Sequence, residues 1–155
     1  MARRIFISYQ HLDYLKAKGF NLLRWNENVD LEFVGRHLLS PVDSESDDYI
    51  ARKIREQLKG TSVTVVLIGE ATAESSWVEK EINWSVEKGN GLVGIRLAPN
   101  VPIPEALEQS GAEILNWFAP GDHKEFQPAI ERAAIGMRRA EAILRTGGGG
   151  GSCAR

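Results

Sequence analysis

The sequence predicts an open parallel α/β sheet of about five strands with helices on both faces. Short β-branched apolar runs at Arg4–Tyr9, Val63–Gly69 and Leu92–Leu97 alternate with stretches of helical spacing. Strands alternating with helices form parallel sheets covered on both sides. The run Val63-Thr64-Val65-Val66-Leu67-Ile68 is also almost continuously apolar, as a strand buried on both faces must be.

The elements follow in chain order. Arg4–Tyr9 is the first strand. A helix over about Leu12–Trp25 comes next, with Leu12, Leu15, Gly19 and Leu22 as its buried stripe. Asp13 stands where a carboxylate suits a helix N-terminus. Leu31–Gly35 is the second strand. Pro41–Asp48 is a polar loop carrying Asp43, Glu45, Asp47 and Asp48, read most simply as a solvated loop with charge at the start of the next helix. Ser46 or Asp47 caps that helix, over about Asp48–Leu58, and Ile50, Ile54 and Leu58 form its apolar edge. Gly60 ends it.

After the third strand, Ser75 or Ser76 caps a helix running to about Lys88, and Gly89 or Gly91 stops it. Val78, Ile82, Ser85 and Val86 form its inward face. Leu92–Leu97 is the fourth strand, and Pro99, Pro102 and Pro104 make the following stretch a loop. Ile114–Phe118 is a short edge strand. The last helix spans about His123–Leu144, with Phe126, Ile130, Ala133, Met137 and Ala140 on one side. The expected organisation is one domain over residues 1–145 and a flexible glycine-rich tail over 146–155.

The composition excludes several function classes. With 155 residues, 43% hydrophobic and 26% charged, the chain suits one soluble domain able to bury roughly 68–70% of its unfolded surface. Lys and Arg number 19 against 21 Asp and Glu, a net charge of −2. That balance opposes a nucleic-acid partner and a polybasic membrane surface. No run approaches the roughly 18 apolar residues of a membrane span. Gln10, His11 and Asp13 interrupt the first apolar run before it reaches signal-peptide length. Cys153 is the single cysteine, so neither a disulfide framework nor a multi-cysteine zinc site is expected. A reducing cytoplasm is the expected compartment.

Common nucleotide and hydrolase signatures are absent. There is no GxGxxG after the first strand, no GxxxxGK[ST] and no GxSxG. His11, His37 and His123 show no metal-ligand spacing, and no metal is expected. A phosphoacceptor receiver would want an acidic pair after strand one and Asp after strand three. Ser8-Tyr9-Gln10 and Gly69 occupy those places. Open parallel sheets bind ligands outside the carboxyl ends of their strands, near the switch point. The segments Ser8–Asp13, Arg36–Asp47 and Gly69–Glu81 therefore hold the candidate site. Trp77 and Glu81 share a helical face, and Trp84 flanks them. Glu81 falls at the border of the buried face. Position alone favours a solvated Glu81, and Trp77 reads most simply as a packing aromatic at the helix start.

The combination narrows this choice. The opening Arg4-Ile5-Phe6-Ile7-Ser8-Tyr9, the acidic loop after strand two, and Ser76-Trp77-Val78-x-x-Glu81-Ile82 after strand three together resemble the TIR-like domains. The resemblance is to the stand-alone bacterial kind found in Thoeris anti-phage systems, and it covers roughly residues 3–97. It implies a flavodoxin-like fold and, in enzymatic members, cleavage of NAD at the nicotinamide–ribose bond. By position, the family's helix glutamate is Glu81. The family pocket maps onto Phe6, Ser8, Tyr9 and Asp13, with Trp77 as a wall. Loop Arg36–Asp47 takes the place of the family's self-association loop. It is more acidic than the apolar loop of many signalling members, although Pro41 is present.

The resemblance further implies NAD as substrate with no additional cofactor, a cyclic ADP-ribose-type product, and a separate effector protein activated by that product. No effector, receptor or membrane-spanning segment is expected within the chain. Two other readings stay open. One is a non-catalytic TIR-like interaction module working through the 36–47 loop. The other is a nucleoside deoxyribosyltransferase-like enzyme, which also sets a carboxylate at a ribose carbon.

Overall fold

In the computed structural model, residues 3–22, 31–35 and 47–147 are described, with side chains over 4–20 and 47–136. The strands are β1 (Arg3–Ser8), β2 (Leu31–Gly35), β3 (Val63–Ile68), β4 (Gly91–Arg96) and β5 (Glu113–Asn116). The helices are α1 (Tyr14–Leu22), α2 (Asp47–Leu58), α3 (Ser76–Lys88), α4 (Glu105–Gln109) and α5 (Phe126–Gly147). Short 3-10 turns, His11–Asp13, Thr72–Glu74 and Asp122–Glu125, precede α1, α3 and α5. The five strands lie in the order β2-β1-β3-β4-β5, and every pairing is parallel.

Strand alternation assigns side chains to two faces. Ile5, Ile7 and Tyr9 join Val63, Val65, Leu67, Val93 and Ile95 under α1 and α5, whose Ala17, Phe20, Phe126, Ala129 and Ile130 complete that core. On the other face, Val66, Ile68 and Leu92 pack against Val78 and Ile82 of α3 and Leu107 of α4. Phe6 packs there too, against Ile54 and Leu58 of α2, with Trp77 and Trp84 of α3 alongside. All of β3 is buried, as its near-continuous apolar run predicts. Fully burying each aliphatic or aromatic side chain stabilises the fold by about 1.5–3 kcal/mol.

Local signals fix the boundaries of α3. Ser75 Oγ accepts from Val78 N–H as N-cap, and Gly89 closes the helix in the left-handed conformation, φ 91°. At β4, a Cβ on Gly91 would meet the Ala133 backbone carbonyl of α5. Only glycine lets that helix approach so closely.

The structure corrects four expectations. Leu12 and Leu15 are 72% and 79% exposed. The inward stripe of α1 is Ala17 and Phe20, because the preceding turn sets Asp13 against the sheet edge and thereby fixes the helix rotation. Val86 is half exposed, and Glu81 is buried on α3 instead. The proline-rich stretch contains α4, which starts directly after Pro104, where proline's fixed φ is compatible with helix entry. The last helix continues to Gly147. The expected loop 36–46, the extension of the first helix past Leu22, and the tail after Gly147 lie outside the described residues.

Candidate active site

The chain leaves β1 toward one face of the sheet and β3 toward the other. Their carboxyl ends, which are neighbours, therefore flank the crevice where such sheets bind ligands. Glu81 sits at this point. It is one helical turn past Trp77 on α3, and none of its surface is exposed. Ser8, the last residue of β1, is equally buried, and its Oγ donates to Glu81 Oε1 at 2.7 Å. The separation along the chain is 73 residues. A carboxylate deep in protein is costly unless hydrogen-bonded, and the strand-end hydroxyl supplies such a bond. At that length the bond is directional, so Ser8 orients the Glu81 carboxyl group.

Phe6 and Trp77 share this face. Phe6 is wholly buried in the seam of α2 and α3. Trp77 is half-buried at its rim, with Lys80 Nζ 4.5 Å from the ring centroid. Trp84 receives Arg55 in the same way, at 4.8 Å. Such pairs desolvate one ring face and hold the indoles in place.

Tyr9 is separate from this group. It follows Ser8 by one residue, so alternation turns it to the opposite face, into the core with Ile5, Ile7, Ala17 and Phe20. Tyr9, expected in the pocket with Phe6 and Ser8, therefore does not share their face of the sheet. Asp13 lies between, at the sheet's carboxyl edge. Its carboxylate rests against Gly69, where a Cβ would lie 2.5 Å from Oδ1 and 2.7 Å from Cγ. Thr72 Oγ1 accepts from Gly69 N–H at 2.8 Å and lies 3.4 Å from Asp13 Oδ2. Burial pushes the Asp13 carboxyl above the ordinary aspartate range, the Thr72 hydroxyl partly offsets this, and the Glu70 charge reinforces it.

Sequence reasoning did not single out Gly69 and Thr72 as the support of Asp13, nor the polar groups behind Glu81. The available signal was Thr64 within an apolar strand and Ser85 on an apolar helix face. Two surface clefts lie away from this site. One, of about 330 Å³, opens at the amino edge beside Asn90, Gly111 and Arg132. The other, of about 340 Å³, lies between α3 and α4 and is lined by Ser75, Glu79, Asn83 and Glu105. Among the described residues no cluster of His, Cys, Asp or Glu could hold a metal ion. No described helix is long and apolar enough to cross a membrane.

Fold and site together define a flavodoxin-like domain of the TIR-like class. A family model described as "Thoeris protein ThsB, TIR-like domain" matches residues 6–101, and the chain belongs to that family. It is similar to a Bacillus cereus (strain MSX-D12) protein named "Putative cyclic ADP-D-ribose synthase ThsB1", at 35% identity over 102 residues. That alignment takes in 63% of this chain and 53% of the relative, so the chain spans about half the length of the curated relative it matches. Among solved structures, the response regulator StyR aligns with TM-score 0.52 and 14% identity, over 94% of this chain and 66% of that one. This likeness concerns the fold alone. The Clostridium botulinum CMP N-glycosidase BcmB aligns with TM-score 0.49 and 13% identity, over 81% of this chain and 96% of that one.

Proposed function

We propose that this chain cleaves NAD at the nicotinamide–ribose bond and forms a cyclic ADP-ribose-type nucleotide, a signal in anti-phage defence. Glu81 is the catalytic residue in this reading. The observation that carries it is the Glu81 carboxylate, fully buried at the switch point and oriented by Ser8. Family membership and the name of the Bacillus relative support it.

The chemistry suits one carboxylate. Nicotinamide leaves from a nitrogen that is already cationic, so departure needs no general acid. The barrier lies in positive charge developing on the ribose, as in glycoside cleavage. A preorganised carboxylate in a water-poor site stabilises that charge without reorganising. The Ser8 hydroxyl holds Oε1, so the charge is aimed before substrate arrives. Trp77 offers a ring for stacking nicotinamide or adenine. Because Glu81 has no exposed surface, the side chains that cover it must part before the ribose reaches it. Water at the ribose carbon yields ADP-ribose, whereas an internal nucleophile of the same nucleotide yields a cyclic isomer. The product then acts on a separate effector protein, and the 36–47 loop serves self-association.

Mass spectrometry of nucleotide extracts tests this reading. Cells carrying the native chain or Glu81→Gln are sampled before and after phage challenge. The expected result is an ADP-ribose-derived species only with the native chain. Level NAD and no such species in every culture would favour the non-catalytic interaction module.

A further inference from the structure

Behind Glu81 runs a chain of buried polar side chains that the reaction chemistry does not use. Thr61, Thr64, Ser85 and Asn90 are between 0% and 4% exposed, and in the sheet Thr64 lies between Phe6 and Leu92. Lys88 Nζ donates to Asn90 Oδ1 at 2.9 Å and to the Thr61 carbonyl at 2.6 Å. That contact fixes which end of the Asn90 amide is oxygen. Both Asn90 Nδ2 protons are then used, one on Thr61 Oγ1 at 3.0 Å and one on Thr64 Oγ1 at 3.2 Å.

The remaining directions follow by counting protons. Ser85 Oγ lies 2.7 Å from the Glu81 carbonyl oxygen, which can only accept. Its single proton is spent there, so in the 2.7 Å contact between Thr64 and Ser85 the donor is Thr64. Donors thus run one way, from the Lys88 ammonium through Asn90, Thr64 and Ser85 to the peptide of Glu81. Thr61 Oγ1 donates to the Leu58 carbonyl at 2.6 Å, tying the end of α2 to the same knot.

Polar contacts from two strands therefore help to set α3 on the sheet. Ser8 holds the Glu81 side chain from β1, and Thr64 holds the Glu81 turn from β3 through Ser85. Apolar packing of Val78 and Ile82 resists separation but constrains rotation and sliding only weakly, because it is non-directional. A satisfied buried network does constrain them. We infer that Thr64 and Ser85, with Asn90 behind them, are positioning residues that set the rotation of α3 and so the placement of the Glu81 carboxylate. This rests on the proposed role of Glu81.

The test compares Thr64→Val, which removes the hydroxyl at nearly constant volume, with Thr64→Ser, which keeps it. Ser85→Ala serves as a second variant that favours helix. Kinetics of NAD consumption and the carbon-13 chemical shift of the Glu81 side-chain carboxyl are both recorded. Misplacing a catalytic group costs up to about a hundredfold in rate. The expected result is a kcat lower by about tenfold to a hundredfold in Thr64→Val and Ser85→Ala, with KM within about twofold of native. Thr64→Ser should restore kcat. The carboxyl resonance should move in Thr64→Val and return in Thr64→Ser. A folded Thr64→Val or Ser85→Ala with native kcat overturns the inference. If the native chain consumes no NAD, the proposed reaction fails and the resonance alone decides: unmoved in both variants, it overturns the positioning role as well.

Discussion

Replacing Gly69 by alanine probes the carboxyl edge of the sheet through one contact. The new Cβ would stand 2.5 Å from Asp13 Oδ1 and 2.7 Å from Asp13 Cγ, and its three nearest neighbours all belong to that carboxyl group. Carbon atoms rest at about 3.5–4.0 Å, so the carboxylate must retreat by roughly 1 Å. It then loses the Thr72 hydroxyl, 3.4 Å away in the native arrangement, and the turn entering α1 shifts with it. Such overpacking costs about 1–3 kcal/mol, while the reduced freedom of the unfolded chain returns about 0.4–1 kcal/mol. The expected net loss is about 1–2 kcal/mol. In an Asp13→Ala background the obstruction is gone, so the same alanine should be neutral or stabilising by about 0.4–1 kcal/mol. Urea unfolding of the four proteins in this cycle gives the coupling, expected to be at least about 1 kcal/mol. If Gly69→Ala costs the same in both backgrounds, Asp13 does not occupy the place described.

Phe6→Ala should destabilise the fold by about 3–5 kcal/mol in urea unfolding, because Phe6 is a wholly buried core ring; a loss under about 1 kcal/mol would show a loosely packed seam between α2 and α3. Ser8→Ala removes the donor to Glu81 Oε1 and should lower kcat about tenfold or more while the far-ultraviolet circular dichroism stays native; native turnover would separate Ser8 from the chemistry. The raised Asp13 carboxyl carries a pH signature. The folded state holds this proton more tightly than the unfolded state, so the native chain should lose stability relative to Asp13→Asn as pH rises through and above the ordinary aspartate range. The two should converge in acid. Parallel curves across that range would show that burial does not strain this carboxylate.

The parts of the fold legible in the sequence are those governed by local rules. The Val63–Ile68 run, Ser75 as cap and Gly89 as stop each act within a few residues, and the structure places each where those rules put it. The rotation of α1 was not legible, because long-range contacts set it. Leu12 and Leu15 match a helical stripe, but Asp13 against Gly69 turns the helix the other way. Tyr9 parts from Phe6 and Ser8 by a local rule. Period-two alternation on β1 turns it to the face opposite Phe6 and Ser8. Glu81 marks the limit of helical position as evidence. Its side chain meets Ser8, 73 residues away along the chain, and the pairing of β1 with β3 helps to bring the two together.

The proposed reaction turns on the Glu81 carboxylate acting at a ribose. The purified chain and Glu81→Gln are incubated with NAD labelled in the nicotinamide ring, and released nicotinamide is counted after thermal unfolding has shown equal folding. The amide keeps the shape of the carboxyl group and cannot carry its negative charge, so release is expected from the native chain and none above background from the variant. Release by Glu81→Gln at the native rate would contradict it.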